Sequence, residues 1–487
     1  MYIGIDLGTS SVKLILASLK GEVISSVSKN YDLLIPKPMW TEQNPNDWYE
    51  QTLLGLKELV KGYEKEIKAI GFSGQMHGLV ILGDQDQILR HAILWNDQRT
   101  IEEVDYLNDE IGIETLLNQT GNIALTGLTA PKLLWVKKNE PEIFSKIDKV
   151  MLPKDYIAYK LSGTFATDVS DVSGTLYYDV KAKAYSKHML KLLSIEEKQL
   201  PKVYESYEKI GSLKRELKEM LNIEQDVDII IGAGDQAAGA VGIGIVNDGK
   251  ASVSLGTSGV VFVASDTFKE DRKSYLQSYA HANGKYHMMG VMLNAAGSLN
   301  WWSEKIFQNF NYSDFFEKLE LTSIDDSIYF LPYLSGERSP INDPNATGVF
   351  FGLRLEHRKA HMDRAVIEGV TYALKQSFDL IKGLGVDIDE LRITGGGAKS
   401  EVWAQMIADI FNVKVVTIKI EEGPALGAAI LAMVGNRAFS SVEDACRHMI
   451  KTNKLYEPNQ KNAILYERKY NDFIKIYPTI KKLYKDI

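Results

Sequence analysis

The chain opens with three short apolar runs separated by polar or glycine breaks. Tyr2–Asp6, Val12–Ala17 and Val23–Val27 have the length and composition of strands, and the Lys20-Gly21 pair reads as a hairpin between the last two. Asn44-Pro45-Asn46-Asp47 then opens a helix with apolar positions at Trp48, Leu53, Leu56 and Leu59, and Ile67–Phe72 follows as a buried strand. Strand-strand-strand-helix-strand differs from a dinucleotide-binding start, where strand and helix alternate from the outset. Helices are predicted from Thr129, with Pro131 in the first turn, and from Leu152. The small polar stretch Thr167–Thr175 reads as a solvated loop. Val227–Ile231 is a buried strand leading into the small-residue helix 237–242. The second half starts near Gly244. It carries a strand at Tyr286–Met292, a helix containing Trp301 and Trp302, and a strand and loop over Phe330–Arg338 in which Glu337-Arg338 reads as a structural ion pair. A long amphipathic helix covers Arg364–Gly383, a strand Leu391–Thr394 and a helix Ser400–Phe411. A closely packed helix starts at Glu422, and the tail from about residue 441 reads as helical and polar.

One pattern occurs twice. Asp6-Leu7-Gly8-Thr9-Ser10-Ser11-Val12 is repeated as Ser254-Leu255-Gly256-Thr257-Ser258-Gly259-Val260, about half of the 487-residue chain later. Each copy lies between two strands. Gly8 and Gly256 let backbone approach a ligand, and the turn N–H groups and hydroxyls can donate to phosphate oxygens. Only the first copy has an acid, Asp6, suited to a hydrated Mg²⁺, and a basic residue, Lys13. A plain hairpin turn with a solvated Asp remains the alternative for either copy taken alone. Together they predict two similar α/β domains, 1–243 and 244–487, with a ligand in the cleft between them.

Other polar clusters lie where apolar runs end. Gln75-Met76-His77 lies between Gly74 and Gly78, and Trp95-Asn96-Asp97 ends the run from Ile93. Both suit a polyhydroxylated ligand, with an apolar face and directional hydrogen bonds. A glycine-bounded turn with a surface His, and a local Asp97–Arg99 ion pair, are the simpler readings. Asp235-Gln236 follows Gly232-Ala233-Gly234. It is either a helix N-cap or a carboxylate aimed at a substrate hydroxyl, the base that phosphoryl transfer needs. Gly395-Gly396-Gly397-Ala398 joins a strand to a helix and offers bare backbone to a base or ribose. There is no GxxxxGK[ST] run, so a P-loop is excluded, and the glycines at 395–397 do not form a GxGxxG fingerprint.

Composition narrows the class. At 45% hydrophobic and 25% charged the chain is globular, and its length suits two large domains. A net charge of −8 argues against a general nucleic-acid binder. The single Cys446 excludes an intrachain disulfide and fits a reducing cytoplasm, and no run reaches the ~20 apolar residues of a membrane span. A homodimer is compatible with this reading but not indicated by it.

Taken together, these pieces resemble the FGGY carbohydrate kinases. Thr129–Trp135 and Gly348–Leu353, running on to Glu368, resemble the two family signatures, and the similarity runs over essentially the whole chain. The resemblance implies two actin/hexokinase-like (ribonuclease H-like) ATPase domains with an interdomain active site. It also implies ATP and Mg²⁺ as cofactors and phosphorylation of D-xylulose to D-xylulose 5-phosphate, or of another ketose or polyol such as ribulose. By the same resemblance Met76 and His77 contact the sugar; the polar clusters read above add Gln75, Trp95, Asn96 and Asp97 as sugar-binding candidates, and Gln236 follows the catalytic acid. Asp235 is the proton acceptor, and Asp6 and Asp235 serve the metal. Gly8, Thr9, Ser10, Lys13, Gly256, Thr257 and Ser258 serve the phosphates, and Gly395, Gly396, Gly397 and Ala398 the adenosine. Glycerol-specific members carry Arg-Glu where Met76-His77 stand. The ketopentose-specific pattern has Asn after the catalytic Asp, where this chain has the longer Gln236. Chaperones and filament proteins share the ATPase fold but need no acceptor base, and a non-catalytic sugar sensor would not need Asp6, Lys13 and Asp235 together.

Overall fold

Two mixed sheets organise the chain. The computed structural model describes residues 1–273, 275–307, 310–324, 327–419 and 422–485. In the first sheet β1 (Tyr2–Leu7), β2 (Ser11–Ala17), β3 (Val23–Asn30), β4 (Ala69–Gly74), β5 (Lys209–Ser212) and β6 (Asp228–Gly234) lie in the order β5-β6-β4-β1-β2-β3. β1, β4 and β6 are parallel; β2, β3 and β5 run antiparallel to their neighbours. The second sheet comprises β7 (Lys250–Leu255), β8 (Gly259–Ser265), β9 (Gln277–Ala280), β10 (Tyr286–Met292), β11 (Glu390–Thr394), β12 (Lys414–Ile418) and β13 (Thr452–Tyr456), in the order β9-β10-β8-β7-β11-β12-β13. Its meander β7-β8-β10, its parallel strands β7, β11 and β12 and its antiparallel edge β13 repeat the plan of the first sheet. The duplicated sequence pattern is therefore a duplicated β-hairpin at the centre of each sheet.

The helices used below are α1 (Pro45–Leu59), α2 (Thr129–Asn139), α3 (Pro153–Ser162), α4 (Asp235–Gly242), α5 (Lys359–Gly383), α6 (Glu401–Phe411), α7 (Gly423–Gly435) and α8 (Gln460–Ile480). Asn44 caps α1 by accepting from Asn46 N–H at 3.1 Å. α1 and α3 cover one face of the first sheet, where Trp48, Leu56 and Tyr156 pack on Ile3, Ile5 and Leu14. The other face is covered by α7, which comes from the second half of the sequence. Its Ala425, Ala429 and Ile430 pack on Tyr2, Ile15 and Ala69. α4, from the first half, places Ala240, and Ile243 just after the helix, against Phe262 and Ala264 of the second sheet, whose far face is covered by α5, α6 and α8. The halves thus interleave through two crossed helices. Small residues make the crossing close: a Cβ on Gly427 would lie 1.8 Å from Ala238 O, and one on Gly4 1.9 Å from Ala425 O.

Two expectations are corrected. Thr167–Thr175 is not solvated; every residue in it is buried, and it includes a helical turn packed behind β6. Asp168 accepts from Ser170 N–H, Ser170 Oγ and Ser206 Oγ, and both it and Asp155 bind Lys154 Nζ, at 2.9 and 2.6 Å. Paired charges, not water, accommodate this polar run. The tail is also not simply helical and polar: β13 interrupts it, and Tyr466, Tyr470 and Phe473 of α8 are core residues.

Candidate active site

The site begins with three parallel strands that end level with one another. Asp6 pairs with Ser73 and Leu7 with Gly74 across β1–β4; Ser73 pairs with Ala233 and Gly74 with Gly234 across β4–β6. This alignment depends on a bulge. β6 shifts register between Ile230 and Ala233, and Gly232 there has φ +75°, with a Cβ position only 1.8 Å from Phe72 O. Gly234 then caps α4, and Asp235 is its first residue. Asp6 Oδ1 accepts from Ser73 Oγ at 2.9 Å. Burial raises the Asp6 carboxyl to about 6, against the opposing pull of Ser73 and Lys13. Burial, then the charge of Asp6, raises Asp235 to about 7. Two carboxylates share one small space at the edge of the sheet.

Met76 and His77 flank this pair. A Cβ on Gly234 would come within 2.9 Å of Met76 Cγ, and one on Gly174 within 2.3 Å of His77 Cε1, so two glycines hold both side chains. His77 Nδ1 lies 2.9 Å from Gly174 O. A carbonyl can only accept, so Nδ1 carries the proton and Nε2 is left as an acceptor. Burial, with Lys132 and Arg338 nearby, holds the imidazole down at about 3, so it is neutral at working pH. Lys132 Nζ and Thr129 Oγ1 of α2 fix the loop by donating to His77 O at 2.9 and 3.0 Å. Trp95 is exposed and Asn96 half-buried, with Asn96 Oδ1 accepting from Thr41 Oγ1 at 2.7 Å. Asp97 is redirected by the structure. It is fully buried, held by Arg99 at 2.7 and 2.8 Å and by Thr41 N–H at 2.6 Å, and it is not presented to a ligand.

The first glycine-hydroxyl turn is braced from beneath. Gly8 N–H donates to Ser11 O at 3.0 Å and Tyr31 OH donates to Gly8 O. Trp95 Nε1 donates to Thr9 Oγ1 at 3.0 Å. Gln75 is buried and reaches Gln43 Oε1 at 3.2 Å; Gln43 Nε2 donates to Thr9 O at 2.7 Å and Gln43 Oε1 accepts from Trp48 Nε1 at 3.0 Å. Gln75 therefore supports the turn from the interior. Gln43 and Tyr31 had no distinguishing sequence signal. Ser10 faces solvent, and Lys13 Nζ pairs with Glu422 at 2.5 Å across the cleft.

A cavity of about 420 Å³ opens from Asp235 and Gln236 between the sheets, reaching Ser254, Gly256, Ser258 and Gly395. Thr257 and Ser258 are exposed, and Ser254 Oγ accepts from Val260 N–H at 3.1 Å, in the place Asp6 holds in the first hairpin. Gly395, at φ +86°, lines this cavity with its Cβ position 2.9 Å from Leu255 backbone, and Gly396 is exposed with nothing within 4 Å of its Cβ position. Gly397 and Ala398, by contrast, are both buried, and a Cβ on Gly397 would strike Leu255 and the Trp403 ring at 2.8 and 2.9 Å. The ion pair read between Glu337 and Arg338 is also absent among the described residues. Glu337 instead accepts from Leu293 N–H and Arg338 N–H, both at 2.8 Å, and burial raises its carboxyl to about 8.

A twinned sheet with an acid pair at strand ends and glycine turns facing the cavity between the halves defines an ATP-dependent small-molecule kinase. Comparison with known proteins agrees. The N-terminal domain of the FGGY family of carbohydrate kinases matches residues 1–242, and its C-terminal domain residues 251–435. The chain belongs to that family. It is 40% identical to a xylulose kinase of Escherichia coli over 98% of both chains. Among solved structures it resembles a xyloylose kinase from Brucella ovis (36% identity, TM-score 0.94, 99% of both chains) and a gluconate kinase from Lactobacillus acidophilus (30%, 0.95, 99% of both).

Proposed function

We propose that the protein transfers the terminal phosphoryl group of ATP to D-xylulose, giving D-xylulose 5-phosphate and ADP, with Asp235 as proton acceptor. The observation that carries this is the placement of Asp235: level with Asp6, beside Met76 and His77, and at the opening of the interdomain cavity. Residues 1–243 would hold the sugar and the first phosphate turn, and 244–487 the second turn and the adenosine. Met76 offers its carbon face to the sugar, and the bare Nε2 of His77 accepts from a sugar hydroxyl. Asp235 takes the C5 hydroxyl proton as the oxygen attacks the phosphorus and ADP leaves. Gln236, one residue further along α4, lines the interdomain cavity beside Asp235. Gly8, Thr9, Ser10, Gly256, Thr257 and Ser258 line the path of the phosphates.

The residues present fit Mg²⁺. Asp6 and Asp235 repel each other, and Mg²⁺ takes one or two carboxylates with water and phosphate oxygens. No cluster of three or more His, Cys, Asp or Glu suited to a metal exists among the described residues, so no all-protein cage competes. When bound, the ion would neutralise phosphate charge and lower the Asp235 pKa. With free Cys446 buried and unreactive, a cytoplasmic setting suits the chain. The test is coupled ADP release with MgATP over D-xylulose, D-ribulose, L-ribulose, L-xylulose, glycerol and gluconate. Preference for D-xylulose is expected. Preference for another acceptor would keep the kinase and transfer specificity to Gln236 and its neighbours, and folded protein with no sugar-dependent release would refute the assignment.

A further inference from the structure

The polar groups of the buried turn Thr167–Thr175 end on the backbone that carries Asp235. Gly234 N–H donates to Ser170 Oγ at 3.1 Å, and Gly232 N–H donates to Ser206 O at 3.0 Å. These amides lie within and just beyond the bulge where β6 shifts register against β4. One carboxylate oxygen holds both serines. Asp168 Oδ2 accepts from Ser170 Oγ at 2.5 Å, from Ser206 Oγ at 2.7 Å and from Ser170 N–H at 2.8 Å. The proton directions are forced. An amide N–H can only donate, so Ser170 Oγ accepts from Gly234 and gives its own proton to Asp168. Asp168, Ser170 and Ser206 are all 0% exposed. Behind them Lys154 Nζ faces Asp168 at 2.9 Å, Asp155 at 2.6 Å and Asp171 at 3.6 Å. An apolar layer of similar volume is often as stable as a buried ion network. This network adds fixed hydrogen-bond directions at the backbone beneath the base.

We propose that Asp168, Ser170 and Ser206 are positioning residues for Asp235. Asp168 draws the two serines together, and they hold the amides of Gly232 and Gly234. The bulge so fixed keeps the end of β6 level with β1 and β4, where Asp235 follows. This rests on the reading of Asp235 as proton acceptor. Being fully buried, the three residues do not reach sugar or nucleotide, and they act through the aim of the base. Further along the turn, Gly174 O accepts from His77 Nδ1 at 2.9 Å. Collapse of the whole turn would therefore also release His77 and weaken sugar binding, whereas loss of the Ser170 link alone would not.

The test is steady-state kinetics of Ser170→Ala and Ser206→Ala with thermal melts, and of Ser170→Ala combined with Asp235→Asn. Ser170→Ala should lower kcat about 30-fold, with KM for D-xylulose within about 3-fold and KM for ATP within about 2-fold, because a misplaced base slows transfer without loosening either ligand. Ser206→Ala, which keeps its backbone bond to Gly232, should lower kcat about 3- to 10-fold. Beside Asp235→Asn, read at high enzyme concentration, Ser170→Ala should change the residual turnover by less than about 2-fold. An unchanged kcat, a rise in KM for D-xylulose matching the fall in kcat, or the same loss with and without Asp235 would overturn the proposal. If Ser170→Ala does not fold, Ser206→Ala decides. Denaturation of both would make the network a folding device and also overturn the proposal. A wild type that phosphorylates no sugar would remove the underlying reading, whereas an active wild type with indifferent variants defeats this inference alone.

Discussion

Placing Asp235 beside Asp6 sets a base near neutrality at a cost to the fold. A carboxyl raised to about 7 in the folded state and near 3.8 when exposed binds more protons folded than unfolded between those values. Stability therefore falls as pH rises through that window, and the penalty is complete above about 7. In metal-free buffer, Asp235→Asn should melt higher than wild type at pH 8, by on the order of 2 kcal/mol, and match it near pH 4. The same variant should lose at least about 1,000-fold in turnover. A lower melt at pH 8, or retained activity, would contradict the assignment. At this scale the sequence was informative about residue type and not about direction. Asp235 stood out because it follows a buried strand and a glycine turn. Asp97 stood in a similar setting, yet Arg99, two residues on, folds back and binds both its oxygens inside the protein. No local pattern distinguishes the two.

Elements were legible where their periodicity is strong and local. β1 to β3, α1 and the strand–glycine–helix run around Asp235 lie close to where the alternation of apolar and polar residues puts them. β13 and the Thr167–Thr175 turn were missed because distant partners make them: β13 is an exposed edge strand held by β12, and the turn is buried by Lys154 and Ser206. The small residues of α4 and α7 announced close packing without saying against what. The structure answers with a crossing in which Gly427 touches Ala238 O and Gly242 faces Gly423 O. Gly427→Val should force these helices apart and cost about 1–3 kcal/mol, read as a lower denaturation midpoint with activity falling in step. Gly396→Ala, which meets nothing within 4 Å, is the control and should leave stability unchanged.

At the level of the molecule, each half completes the other. α7 is encoded in the second half but covers the first sheet, and β9 of the second sheet bonds Asn122 and Ser173 of the first half and brings the Tyr279 ring 6.3 Å from that of His77. Lys13 and Glu422 add an ion pair across the same boundary. The halves are thus alike in plan and interdependent in packing, which a repeat read from sequence cannot reveal. The position of α7 also governs synthesis. When residue 242 leaves the ribosome, the first sheet has its α1 and α3 cover but a bare face formed by Tyr2, Ile15 and Ala69. That face waits for Ala425, Ala429 and Ile430, so the first half remains a sticky intermediate for nearly two hundred further residues. A 1–242 fragment made alone should bind a hydrophobic dye and precipitate, and a synthetic 423–435 peptide supplied in trans should reduce both. A soluble, dye-silent fragment would show that this face closes without its distant helix.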